Sequence, residues 1–279
     1  MLLDVAFVLG AGWGIEGVAA GTVAAEWLAA SVGLALAVRT LSAGKATHSL
    51  RRLVDRSRVF ERSRMRRTLS VNRDIMVRSM ALVLVFVFFS AQGAAQGDVF
   101  LAANAVLMHF IDTSAYFLDG LAYAAEAMVG HAFGARDGRT FRTVAVRTTV
   151  WAAAFAVVAT GVLFFFGPSF VDAMTVDPPT RQTARVFLHW AAFAPVAGVV
   201  CFQLDGIFIG ATQGPAMRNS MLLSTAIFFG AWWLLRPFGN HGLWAAFYVH
   251  YAARTLTLGA HVPGLLREAD GRECAMQRG

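Results

Sequence analysis

Asp112, Asp119 and Glu126 recur seven residues apart in a stretch, Ala103 to Phe133, that holds no other acidic residue, Lys or Arg. On a helix this interval places all three carboxylates on one face, at steps of about 10 Å along the axis. A carboxylate in an apolar span costs about 3 kcal/mol at mid-bilayer unless it is paired, protonated or facing water. Such a ladder therefore reads as the wall of a wet cavity that takes up protons or cations. Tyr116 and Tyr123 repeat the interval and can offer aromatic faces to a cation. A fourth carboxylate within a span, Asp205, stands in Gln203-Leu204-Asp205-Gly206, and Asp4 lies near the start. The structural alternatives are that Asp119-Gly120 marks a kink and that Glu126 bonds a neighbouring helix.

These residues need helices in lipid to hold them. With 57% hydrophobic and 15% charged residues, the chain has more apolar surface than a soluble core can hide. Runs of about 20 apolar residues recur, and none alternates in the manner of an outer-membrane strand. The expected class is an all-α polytopic helix bundle. One partial span covers Leu2 to Gly12, and seven full ones run Ile15–Val38, Ile75–Ala95, Ala103–Phe133, Val144–Phe166, Phe187–Ala211, Met217–Leu235 and Gly242–Val262. Gly206-x-x-x-Gly210-x-x-x-Gly214 and Gly130-x-x-x-Gly134 read as close-packing faces, and most Phe and Trp as lipid-facing or interfacial, with Trp13, Trp232, Trp233 and Trp244 suiting an aromatic belt. Cys201 and Cys274 lie in environments too different for a disulfide or a metal site. No metal or cofactor is expected.

Half of the 24 basic residues fall between Arg39 and Arg78. Further clusters at Arg136 to Arg147, at Arg218 and at Arg267 to Arg278 occupy alternate loops. The opposite loops carry Asp98, then Asp172 and Asp177 with Arg181 and Arg185, then Arg236 and His241. The positive-inside rule makes the linker and the C-terminus cytoplasmic and the chain a multi-pass protein of the inner (plasma) membrane. Its partners are the lipid bilayer and small molecules; the net charge of +7 is a topology signal rather than a nucleic-acid surface. The linker at 42 to 74 is also the main organisational break. Leu50, Leu53, Val54 and Phe60 could lay part of it on the membrane.

An internal repeat is visible across that break. Gly14-x-x-Gly17 aligns with Gly239-x-x-Gly242, each placing a short Gly-rich turn between two spans. Glu26 and His250 fall at nearly matching places and are expected to pack or gate rather than bind an ion.

Several segments in order, FFSAQGAAQGDVFLAANAVLMHFIDTSAYFLDGLAYAAEAMVGHAFGARDG from Phe88, CFQLDGIFIGATQGPAMRNSM from Cys201 and FGNHGLWAAFYVHYAARTLTLG from Phe238, resemble the multidrug and toxic compound extrusion (MATE) family in its DinF-like branch. The opening LDVAFVLGAGWGIEGVAAGTVAAEWLA resembles the end of that family's fifth helix and its sixth. The resemblance implies residues 1–41 as the end of the N-lobe, 42–74 as a basic cytoplasmic linker, 75–263 as a complete six-helix C-lobe and 264–279 as a cytoplasmic tail. In that pattern four helices and part of a fifth precede Met1, so these residues alone are expected to insert but not to transport.

The function it implies is secondary active efflux of cationic or amphipathic compounds, driven by protons or, less favoured, by sodium. Asp205 matches the acidic C-lobe position that sodium-type members pair with a Glu on the seventh helix; here that helix offers only Ser90 and Gln92. Asp4 matches an N-lobe Asp linked to proton coupling. No phosphate loop, Gly-x-Ser-x-Gly elbow or His-Glu-x-x-His is present, so an enzyme is not expected. The alternatives are a lipid-linked oligosaccharide flippase of the same superfamily, which favours a basic cavity, and a membrane fragment that does not transport.

Overall fold

The computed structural model describes residues 6–10, 12–43 and 61–271. Asp4, the linker contacts at Leu50, Leu53, Val54 and Phe60, and Cys274 lie outside the described residues. Every regular element among the described residues is helical. The chain divides into two units, Met1–Arg66 and Arg67–Gly279.

The first unit holds a π turn, Ala6–Gly10, and helix α1, Gly14–Ala43. The helix is apolar and buries little of itself, with Ile15 and Trp27 exposed. The turn is set by Trp13, whose amide donates to the Phe7 carbonyl at 3.1 Å and whose ring stacks on that of Phe7 at 5.4 Å. Gly14 has φ +55°, a left-handed conformation that favours glycine. The same solution recurs at the aligned position, where Gly239 has φ +58° and a side chain on Gly242 would strike the Leu235 carbonyl oxygen. At Gly17 an added carbon would come within 3.1 Å of the Phe7 backbone. Both copies of Gly-x-x-Gly thus have a left-handed first glycine; the second is tight against neighbouring backbone at Gly17 and has no room for a side chain at Gly242.

The second unit is an up-and-down bundle of α2 (Arg62–Ala95, whose first turn precedes the boundary), α3 (Asp98–Gly134), α4 (Gly138–Met174), α5 (Pro178–Gly210), α6 (Gly214–Leu235) and α7 (Gly239–Gly259), closed by the short α8 (Val262–Ala269). Six stretches among the described residues are long and apolar enough to cross a membrane; the last, Gly214–Ala269, is folded back at the 3-10 turn Arg236–Phe238 into the α6/α7 hairpin. Each full span of the sequence reading is there, but most helices overrun it; the partial span Leu2–Gly12 lies partly outside the described residues, which hold only the π turn Ala6–Gly10 of it. Helices of 37 residues such as α3 and α4 are about 55 Å long, against a hydrocarbon core of about 30 Å. The polar stretch Arg62–Asp74 is likewise helix, continuous with the span that follows. Hydropathy marks the apolar middle of such a helix and is blind to its polar ends.

Caps fix two of those ends. Asp137 and Asp177 each accept from the backbone amide and hydroxyl of a Thr three residues on, Thr140 and Thr180. These bonds hold both carboxyl groups below their usual range.

Two extensive apolar clusters fill the bundle, with a small one of Leu118, Ala152, Ala156 and Val199 beside them. The larger gathers Phe89, Leu107, Phe187, Ala191, Phe228, Trp244 and Phe247; the other gathers Val129, Phe141, Phe208, Met217, Leu258 and Leu265. Among the described residues Trp244 and seven Phe are buried rather than lipid-facing, which corrects the expected belt role of Trp244; Trp13 and Trp233 are exposed. Packing of α3 on α5 depends on glycine. A side chain at Gly206 would collide with the Ala122 carbonyl, one at Gly210 would come 2.5 Å from the backbone carbonyl oxygen of Glu126, and one at Gly130 would press on Gly210. Gly134 meets nothing within 4 Å and is not part of that face.

Candidate functional site

Between the two apolar clusters lies a cavity of about 330 Å³. On α5 the chain passes from Cys201 in one cluster through Asp205 to Phe208 in the other, and on α7 from Tyr251 through Arg254 to Leu258. Helix α3 supplies one wall: its seven-residue interval places Asp112, Tyr116, Asp119, Tyr123 and Glu126 all on the cavity. Asp119 and Glu126 are half-buried, Asp112 and both tyrosines exposed. None of the three carboxylates makes a hydrogen bond or ion pair among the described residues.

The opposite wall is an ion-pair node. Asp205 Oδ2 accepts from Arg78 Nη2 of α2 at 2.5 Å and from Arg254 Nη2 of α7. Asp205 and Arg254 are buried, 9% and 4% exposed, so these pairs are shielded from water. The Arg254 guanidinium also lies 5.8 Å from the centre of the Phe202 ring. Among the described residues the buried Nε of Arg78 has no acceptor. His250, one turn before Arg254, borders the same cavity; its Nδ1 lies 3.2 Å from the Ser224 carbonyl, which assigns the proton to Nδ1, and its buried Nε2 has no partner among the described residues.

Of the residues singled out from sequence, Asp112, Tyr116, Asp119, Tyr123, Glu126 and Asp205 come together here, while Asp4 is outside the described residues. The spans hold more than acids: Arg78 and Arg254 stand in the cavity with them, and α2 presents an arginine to Asp205 where only Ser90 and Gln92 were counted. Arg254 was legible, as the one Arg or Lys inside the apolar run Gly242–Val262, since an ionisable group within a span marks a site by default. Arg78 sits three residues inside its span and passed for the edge of the basic linker. His250 packs, against Phe228 at 5.9 Å, as well as lining the cavity.

Two further polar contacts hold the helices that carry the site. Asn104 of α3 and Asn240 of α7 exchange reciprocal amide bonds of 2.8 and 3.0 Å, and Trp244 Nε1 donates to Asn104 Oδ1 at 3.1 Å, all buried. Asp74 of α2, 2% exposed, accepts from Arg218 of α6 at 2.6 Å. Neither motif is visible in sequence, because the partners lie 136 and 144 residues apart.

Residues 75–229 match the MatE family model. DNA damage-inducible protein F of Escherichia coli (strain K12) is 37% identical over 264 residues, 93% of this chain and 55% of that protein. A probable multidrug resistance protein NorM of Agrobacterium fabrum is 26% identical over 202 residues, 68% of this chain and 43% of that one. The chain thus spans about half the length of the curated relatives it matches. Among solved structures, the Vibrio cholerae MATE transporter VcmN in its bent form superposes with a TM-score of 0.76 at 19% identity, covering 96% of this chain and 60% of that one. A MOP superfamily transporter from Pyrococcus furiosus, described as having a binding pocket of reverse polarity, superposes at 0.79 with 16% identity, again over 96% and 60%. These likenesses establish the fold, and the match over more than half the chain establishes the relation: the chain is a multi-pass membrane protein of the MatE family.

Proposed function

We propose that this chain carries one lobe of a secondary active antiporter that exports cationic or amphipathic compounds in exchange for protons. In this reading residues 1–41 end the other lobe, 42–74 form the connecting linker, 75–263 make up the C-lobe and 264–279 its tail. The observation that carries it is the cavity, in which three carboxylates with no bonded partner share a wall with two tyrosines, beside a node where arginines occupy Asp205. Unpaired acids in a low-dielectric pocket can exchange a proton for an organic cation, and the tyrosines supply apolar contact and cation–π attraction. Arginine at Asp205 fills the place a sodium ion would take, which favours protons as the coupling ion. The flippase alternative draws support from those arginines, but four cavity carboxylates outnumber two guanidiniums.

Asp119 is the test residue, because its replacement breaks no ion pair. Asp119→Asn, in the full-length transporter expressed in a pump-deficient host, should cut pH-gradient-driven export of a fluorescent cationic dye at least about tenfold at unchanged abundance, a loss of about 1.4 kcal/mol or more. Undiminished export would remove the α3 ladder from the mechanism. We further propose that the linker and tail face the cytoplasm and Asp172 the outside. With Cys201 and Cys274 replaced, single cysteines at Arg58, Asp172 and Glu273 should react with an impermeant reagent from outside only at 172; reaction at 58 would reverse the orientation.

A further inference from the structure

The exposed side of α4 carries a second concentration of charge, apart from the cavity. Arg139, Arg142, Val146, Arg147, Val150 and Trp151 recur at spacings of three and four residues, which groups them on one side of the helix, and all are exposed. Phe141, Val144 and Ala152, on the other side, are buried. Arg147 stands three residues inside the apolar run that begins at Val144, so its guanidinium must reach back toward the headgroup layer, where Arg139 lies about 12 Å along the axis. The nearby acids are already committed. Asp137 accepts from Thr140, and Glu268 of α8 accepts from Gln213 at 2.6 Å; Arg136 and Arg267 stand beside these two and match their charge. Asp270 accepts from Arg142 Nη2 at 2.9 Å and is pinned against α4, where a side chain on Gly138 would strike its carboxylate. The guanidiniums of Arg139 and Arg147 make no hydrogen bond or ion pair among the described residues. Three cations against the one carboxylate of Asp270 leave two positive charges, beside a recess of about 410 Å³ lined by Arg139, Arg142, Thr143 and Asp270. The Thr143 hydroxyl donates to the Arg139 carbonyl at 2.9 Å, so the free donors in the recess are guanidinium N–H groups.

We propose that this side of α4 binds one anionic phospholipid that carries two phosphates. One phosphate lies in the recess between Arg139 and Arg142, Arg147 meets the other, and an acyl chain runs along Val146, Val150 and Trp151. Charge sets the number of phosphates, since two guanidiniums lack a counter-ion, and Arg is the side chain best shaped to hold a phosphate by paired N–H bonds. The apolar stripe that continues from the arginines separates a lipid from a free phosphate ion, which gains nothing from it. A zwitterionic headgroup brings a cation of its own and leaves the excess positive charge in place. The site lies apart from the cavity between α3 and Asp205, so it stands independently of the export reading and of which way this end of the bundle faces.

The test places the 279-residue chain in phosphatidylcholine nanodiscs and titrates in cardiolipin, phosphatidylglycerol or more phosphatidylcholine, each with brominated acyl chains that quench tryptophan on contact. The signal of the site is the part of the quenching that Trp151→Phe removes. Cardiolipin, with two phosphates, should saturate it first. Phosphatidylglycerol, with one, should need about fivefold more, the worth of one arginine at a membrane surface, and phosphatidylcholine should only follow the bulk composition. Arg139→Gln with Arg147→Gln should shift the cardiolipin curve about thirtyfold, about fivefold for each guanidinium, while Arg139→Lys with Arg147→Lys keeps most of the binding. Both side chains are exposed and without a bonded partner among the described residues, so the unfolding midpoint of the Gln pair in phosphatidylcholine should equal that of the wild type. A lowered midpoint would mean that these arginines hold the fold rather than a lipid, and the assignment would fall. Quenching that Trp151→Phe leaves unchanged, a cardiolipin curve that the Gln pair does not shift, phosphatidylglycerol binding as tightly as cardiolipin, or displacement of cardiolipin by inorganic phosphate would each overturn it as well.

Discussion

Asp205→Asn is expected to destabilise the protein by about 3–5 kcal/mol, the cost of removing one member of a buried ion pair and leaving its partners charged and uncompensated. Here two guanidiniums are left, Arg78 and Arg254, the latter 4% exposed. The neutral amide is nearly the size of the carboxylate, so packing loss contributes little and the effect is electrostatic. The measurements are membrane yield and the unfolding midpoint of purified protein. A second substitution separates cause from consequence: Asp205→Asn with Arg254→Gln removes a buried positive charge and should recover part of the loss, with a coupling of about 0.5–3 kcal/mol for groups in direct contact. A single variant as stable as the wild type would mean that the node does not hold α2, α5 and α7 together. The consequence for function follows. Lost export in Asp205→Asn would mix a structural with a mechanistic effect, whereas Asp119, with no hydrogen bond or ion pair among the described residues, reports more directly on mechanism.

What could be read in the sequence, and what could not, follows from the range of each signal. Hydropathy is local, and it located every span of the second unit. The seven-residue interval is local too, and it placed Asp112, Asp119 and Glu126 correctly on a single cavity wall with Tyr116 and Tyr123. The node depends on Asp205 meeting Arg78 across 127 residues and Arg254 across 49, and nothing in the intervening chain encodes that meeting. Burial was misjudged for a related reason. In lipid an apolar side chain gains little by choosing core over exterior, so composition cannot separate Trp244, fully buried, from Trp233, 72% exposed. Glycines fared better where their reason was steric: Gly206 and Gly210 lie against the backbone of α3, as small-residue spacing implies, while Gly134 shares the spacing and touches nothing.

The second large effect is expected at Trp244, where volume and hydrogen bonding can be weighed against each other. Its ring is 0% exposed, with Phe89 at 5.0 Å edge to face and Phe247 at 6.4 Å. Its Nε1 donates to Asn104 Oδ1, which also accepts from Asn240. Trp244→Ala opens a cavity at the centre of the larger cluster and should cost about 3–5 kcal/mol, as buried aromatic truncations do. Trp244→Phe keeps most of the contact area and loses the hydrogen bond, which between helices in a membrane averages about 0.6 kcal/mol. Asn104→Ala falls between them: it removes three interhelical hydrogen bonds, at an average of about 0.6 kcal/mol each, and opens a smaller hole. The expected order of lost stability is thus Trp244→Ala, then Asn104→Ala, then Trp244→Phe, read from unfolding midpoints of the three purified variants in one detergent. If Trp244→Phe proved as damaging as Trp244→Ala, the polar trio of Asn104, Asn240 and Trp244 rather than aromatic packing would be what fastens α7 to α3. The site would then depend on a hydrogen-bond network that carries both of its walls, the acid ladder on α3 and Arg254 on α7.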